Sequence, residues 1–188
     1  MSSSSWGDSP RRASTLPRKC PSPSSWTDRI GEPDFLDGFV AFHEQHLVDW
    51  SPDDWSLNLL VHENGELAGT QGVFAKRFAR QRRVGTGSWL GRAHQGHGIG
   101  TEMRAAVLEL AFRGLGALEA ESTWLEGNAA SKRVSEKLGY DGQGVGEKSP
   151  RGVPIAEYGV AITRDAWVCT LPVAIEGLEP CLPLFGIT

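Results

Sequence analysis

Apolar residues recur at helical spacing from Phe35 onward. Phe35, Phe39, Phe42, His46 and Leu47 fall on neighbouring turns and predict a helix over about 34–49. Glu32-Pro33-Asp34 forms its entrance, with proline and acids where the first turn leaves N–H groups free. Ser51-Pro52-Asp53-Asp54 ends it. The pattern then turns extended. Leu57 to His62 reads as a strand, Asn64-Gly65 as a hairpin turn, and Glu66 to Phe74 as the returning strand. A third strand covers Arg82 to Leu90, where Val84, Thr86 and Ser88 alternate with small or polar neighbours. Helical spacing returns over about 98–113, with Ile99, Met103, Ala106, Val107, Leu110 and Ala111 as the buried stripe and Gly114 and Gly116 as the stop. Leu118 to Leu125 is a strand. Asn128 caps a helix from Ala129 to Leu138, which Gly139 closes. Ile155 to Thr163 is the last strand, a hairpin partner for residues 140–148, and Thr163 caps a short turn through Trp167. The order predicts a single α+β domain with a mixed sheet and no internal repeat.

Both ends depart from this pattern. Residues 1–25 are rich in Ser, Pro and Arg with almost no apolar periodicity, and poor order is expected there. Residues 26–168 hold the periodic elements. Residues 169–188 form a tail that is apolar from Val173 to Phe185 and carries Pro172, Pro180 and Pro183; it is expected to pack on the domain surface rather than extend a sheet.

Composition narrows the classes. With 188 residues the chain can bury one substantial core, and a formal charge of −4 argues against a general nucleic-acid binder. Cys20, Cys169 and Cys181 are far apart, show no metal-ligand spacing, and suit a reducing compartment. No apolar run approaches the ~20 residues of a membrane span, and the N-terminus lacks the apolar stretch of a secretion signal. A cytoplasmic location with no membrane partner is the expectation.

The run Gln95-Gly96-His97-Gly98-Ile99-Gly100-Thr101 carries the chemistry. It lies between a strand and an amphipathic helix, with glycine at alternate positions. Such a turn lets main-chain N–H groups approach a phosphate, and the helix that follows adds free donors and the positive end of its dipole. A packing turn is the plainer reading of the same glycines. A Walker loop would end in Gly-Lys-Ser/Thr, and a dinucleotide fingerprint would place its third glycine one residue later. A ligand carrying a pyrophosphate remains. His94 and His97, without a third ligand nearby, do not make a metal site.

A second motif follows about 28 residues on: Asn128-Ala129-Ala130-Ser131, Lys132-Arg133-Val134 and Lys137-Leu138-Gly139-Tyr140. Together the two resemble the GNAT superfamily of acyl-CoA-dependent N-acetyltransferases, in the branch that includes acetylators of ribosomal-protein N-termini. The resemblance covers roughly residues 34–167 and implies a mostly antiparallel sheet flanked by helices, with a V-shaped splay at the cofactor site. It further implies acetyl-CoA as acyl donor, with its pyrophosphate on the N–H groups from Gly96 to Thr101 and its pantetheine arm beside Trp89 and Leu90. Asn128 would hold a pantetheine amide as well as cap its helix, and Ser131 and Arg133 would reach the phosphates. Two departures stand out. Residues 1–25 do not read as the family's first strand and helix. The position seven residues after the motif asparagine, where many members carry a tyrosine acid, is Ser135. Ser135 is placed at the departing sulfur, with plain packing as the alternative.

The implied reaction is direct attack of a primary amine on acetyl-CoA in a ternary complex, with Ser135 and Asn128 as the catalytic pair. The cysteines lie outside both motifs, which disfavours a covalent intermediate. Glu119, Glu121 and Glu126 are the candidate bases. An α-amine of pKa ~7.7–8.0 is ~10–20% neutral at pH 7, against below ~0.1% for lysine, so it needs less help. The acceptor is thus a small-molecule amine or a peptide or protein N-terminus, and a homodimer is compatible with the family. Two alternatives stay open: a non-catalytic acyl-CoA-binding module, and an acyltransferase for a larger group such as succinyl, which a basic residue at the thioester end would favour.

Overall fold

The computed structural model describes residues 28, 29 and 31–187, so the expectations for residues 1–25 and Cys20 lie outside the described residues. Helix α1 spans Phe35–Val48; Asp34 is its N-cap but turns its carboxylate to Arg29 at 2.8 Å instead of to the helix. The helix buries no residue: its aromatic rings meet along its own length, Phe42 edge-on to His46 at 4.4 Å, and Phe42 and Leu47 are 59% and 72% exposed.

Strands β1 (Trp55–Glu63) and β2 (Glu66–Ala75) form the hairpin, with Asn64 and Gly65 both at positive φ as a primed turn requires. A four-residue helix α2 (Phe78–Gln81), not foreseen from the sequence, connects to β3 (Arg83–Leu90). Asp54 and Asp53 accept from the N–H groups of Arg77 and Ala79, and Phe78 plugs the core. Helix α3 (Ile99–Glu109) continues as a π-turn through Gly114. Strand β4 (Glu119–Leu125), helix α4 (Ala129–Lys137) and the hairpin β5 (Asp141–Lys148) and β6 (Ile155–Thr163) complete the domain.

The strands make one six-stranded sheet in the order β1-β2-β3-β4-β6-β5. Only β3 and β4 run parallel, and they pair only over Arg83–Gly85 and Glu119–Glu121. Past that point they diverge. On its other side β3 stays paired with β2 as far as Leu90, and β4 with β6 as far as Leu125. The facing edges of Gly87–Leu90 and Thr123–Leu125 therefore border an open wedge. Main-chain groups on such edges need partners from elsewhere.

Helix α3 covers one face of the sheet, packing Val107, Leu108, Ala111 and Phe112 on Val73, Val84, Ala120 and Ile162. Its buried surface is broader than one stripe, because Arg104, Leu108 and Glu109 are buried too. The C-terminal tail explains part of this. Leu178, Cys181 and Leu182 pack against the core, and Phe185 is itself a core residue, 4.9 Å from the ring of Trp55 and 5.3 Å from that of Trp50. Trp50 Nε1 donates to the Leu184 carbonyl at 2.8 Å. The tail adds no strand, as its prolines predict, but it reaches deeper than a surface segment. Among the described residues, no helix is long and apolar enough to cross a membrane.

Candidate active site

A cleft of about 560 Å³ opens where β3 and β4 part. Its walls are Thr86 to Leu90 on one strand and Ser122 to Leu125 on the other. Its mouth is the glycine run and the first turn of α3, and Asn128, Ser131 and Arg133 rim it from α4. The two sequence motifs thus meet across one wedge.

The loop is shaped for main-chain donors. Gly96 and Gly98 have φ of +86° and +94°. Gly98 is the N-cap of α3 and brings no side-chain cap; its carbonyl takes the N–H groups of Thr101 and Glu102 at 2.8 and 3.2 Å. Among the described residues, the N–H groups from Gly96 to Gly100 have no hydrogen-bond partner. They cluster at the positive end of α3, where the dipole favours an anion. A Cβ on Gly98 would meet only Glu102 Oε1 at 3.7 Å, so conformation and not crowding makes glycine necessary there. Gly100 faces α4, and a Cβ on it would touch Val134 at 3.6 Å.

The expected residues do not all point into the cleft. Gln95 lines it, but its side-chain amide is engaged, donating to the Leu90 carbonyl at 2.9 Å and so bracing the loop on the end of β3. His97 is exposed and outside the cleft lining, and Ile99 is buried in the core; each offers only its backbone. Asn128 accepts from the Ser131 N–H at 3.1 Å as a helix cap, while it borders the cleft. Ser135 departs from expectation. It is 3% exposed, donates to the Ser131 carbonyl at 3.2 Å, and is not among the cleft-lining residues. One turn beyond Ser131 places it on the face that packs inward.

None of the three candidate bases reaches the cleft either. Glu119 and Glu121 pair with Arg83 at 2.7 and 3.3 Å beyond the closed end of the wedge, and Glu126 is exposed past the end of β4. Cys169 and Cys181 are free thiols away from the cleft.

Three features were not foreseen. His94 Nδ1 lies 2.7 Å from Glu63 Oε2, tying the turn after β3 to the end of β1. Trp124, in the cleft wall, stacks on Tyr158 at 3.9 Å with the rings 6° from parallel. Arg104 lies under the wedge, giving N–H bonds to Ser122 Oγ at 2.9 Å and Ser88 Oγ at 3.2 Å. The only sequence signal for it was a charged residue between Met103 and Ala105 in an apolar helix.

Residues 25–141 match the family model described as acetyltransferase (GNAT) domain. The chain belongs to the GNAT acetyltransferase family. The expected mixed, mostly antiparallel sheet with flanking helices is present, and it agrees with that assignment. A curated relative, the probable N-acetyltransferase YjcK of Bacillus subtilis, is 28% identical over 97 residues, which is 52% of this chain and 54% of YjcK. The chain thus spans about half the length of that relative. Among solved structures, Mycobacterium smegmatis RimJ in complex with CoA-disulfide has a TM-score of 0.62 at 20% identity, covering 74% of this chain and 66% of RimJ. The Vibrio cholerae spermidine N-acetyltransferase in complex with CoA and spermine has a TM-score of 0.62 at 16% identity, covering 70% and 76%. At these identities the structural likeness concerns the GNAT fold. The splay expected from the resemblance corresponds to the wedge between β3 and β4.

Proposed function

We propose that this protein transfers an acyl group, acetyl in the simplest case, from its CoA thioester to a primary amine. The observation that carries the proposal is the set of unpartnered N–H groups from Gly96 to Gly100 at the mouth of an open strand wedge. A pyrophosphate there meets several charge-assisted donors worth about 1.5–3 kcal/mol each, a large part of the ~8 kcal/mol of micromolar binding. The pantetheine arm then lies along the wedge beside Trp89 and Leu90, and Asn128 offers its amide nitrogen to it. Ser131 and Arg133 face the phosphates from α4.

The amine nitrogen attacks the thioester carbon, the C–S bond breaks with its electron pair on sulfur, and the proton lost by nitrogen ends on the thiolate through solvent. A thiol of pKa near ~8.5 leaves without a dedicated acid. With the Ser135 hydroxyl held by the Ser131 carbonyl, the reaction needs no proton from it. No candidate carboxylate lines the cleft, which favours an acceptor that is substantially neutral near pH 7, such as an α-amine.

Calorimetry with CoA, followed by a thiol-release assay with acetyl-CoA and an amine panel that includes peptide N-termini and polyamines, tests the reading. Binding with amine-dependent thiol release is expected. Binding without release for any amine marks a non-catalytic CoA-binding module, and absence of binding removes the proposal.

A further inference from the structure

Arg104 is a buried cation with no anionic partner among the described residues. It is 4% exposed, and its partners among the described residues are two serine hydroxyls. Among the described residues its Nε has no hydrogen-bond partner. A guanidinium has five N–H donors, and carboxylates are its natural bidentate acceptors. The carboxylates of the surrounding elements are committed elsewhere: Glu109 to Trp167 and Arg113, Glu119 and Glu121 to Arg83. Glu102, on the same helix, is exposed. Burying a charge in this way is expensive unless something pairs with it, and a neutral side chain would pack there without that cost.

Its position says what that partner is. Ser88 stands on β3 and Ser122 on β4, so the guanidinium spans the wedge near its closed end, where Thr86 and Ser122 exchange bonds with the opposite strand at 3.1 Å each. Arg104 also lines the cleft. A ligand with its diphosphate on the loop from Gly96 to Gly100 and its arm directed into the wedge brings the far end of the arm to this cation.

We infer that Arg104 is the receptor for the end of the acyl group, and that the cleft selects an acyl-CoA whose chain ends in a carboxylate, of the class of succinyl-CoA. The inference rests on the acyl-CoA reading of the cleft and names the donor within it. An acetyl group is a truncated ligand that leaves the guanidinium unpaired.

Hydrolysis-resistant thioethers test this without an acceptor. CoA, S-butyl-CoA and S-(3-carboxypropyl)-CoA are titrated into the full chain by calorimetry. The last two have the same length and differ in a terminal methyl against a terminal carboxylate. The carboxylate form is expected to bind at least about tenfold more tightly than the butyl form, the size of one charge-assisted pair. In Arg104→Gln, and in Arg104→Met as a second neutral variant, the ratio should fall to about one, with folding checked by near-UV circular dichroism. A wild-type ratio below about two overturns the inference whether or not the variants fold, as does an unchanged ratio in a folded variant. If CoA binds while the wild type shows no preference, only the carboxylate receptor is lost. If neither CoA nor the thioethers bind, the proposed function fails and takes this inference with it.

Discussion

Two glycines in the same kind of backbone, one in the loop and one far from it, separate folding from binding. Gly98 has φ +94° at the N-terminus of α3; Gly116 has φ +68° beyond the other end of that helix and its π-turn. A Cβ on Gly116 would have nothing within 4 Å, and one on Gly98 only Glu102 Oε1 at 3.7 Å. Neither alanine variant meets a clash, so the shared penalty is the left-handed conformation, about 1–2 kcal/mol. For a domain of this length that lowers Tm by about 2–8 °C. The consequences for ligand should diverge. Relaxing Gly98 toward negative φ swings the N–H groups of residues 97–99 out of register with a bound diphosphate. Losing one charge-assisted bond of about 1.5–3 kcal/mol weakens CoA by about 10–150-fold. Gly116→Ala should lose similar stability and leave CoA affinity within about twofold. Differential scanning calorimetry measures the first quantity and isothermal titration with CoA the second. Equal CoA affinity in the two variants would refute the claim that the loop grips the diphosphate through its backbone.

Two further predictions concern the parts that hold the site in place. Phe185→Ala opens a cavity beside Trp50 and Trp55 and should destabilise the fold by about 3–5 kcal/mol in denaturant titrations, with a red shift in tryptophan emission; a loss below about 1 kcal/mol would mean that the tail is peripheral. Burial pushes the Glu109 carboxyl up, but hydrogen bonds from Trp167, Arg113 and Cys169 outweigh it and hold the group below the ordinary carboxylate value. A depressed folded-state pKa gives stability that is present above the unfolded value of about 4.3 and is lost as pH falls through the folded one. Trp167→Phe removes the 2.6 Å donor, so its stability deficit against wild type should be largest near neutrality and shrink below about pH 4; a pH-independent deficit would contradict this account.

What the linear chain determined about this protein is local. Helical spacing placed α1, α3 and α4, alternation and Asn64-Gly65 placed the β1–β2 hairpin, and glycine at alternate positions marked the turn into α3, because each depends on residues within a turn or two of one another. Those cues also carried the motif pair that identifies the family. Three matters were decided only by packing across the molecule. The wedge exists because β3 and β4 pair near one end and part at the other, and no residue in either strand announces that register. The tail became core because Phe185 completes an aromatic cluster whose other members, Trp50 and Trp55, lie over a hundred residues earlier. Ser135 turned its hydroxyl inward to the Ser131 carbonyl, and Arg104, about which the sequence reading made no claim, is buried beneath the wedge, because which side of each helix faces inward depends on neighbours far away in the chain. A sequence specifies which face of an element is apolar; what that face meets, and therefore which polar side chain is trapped beside a cleft, depends on elements far away in the chain.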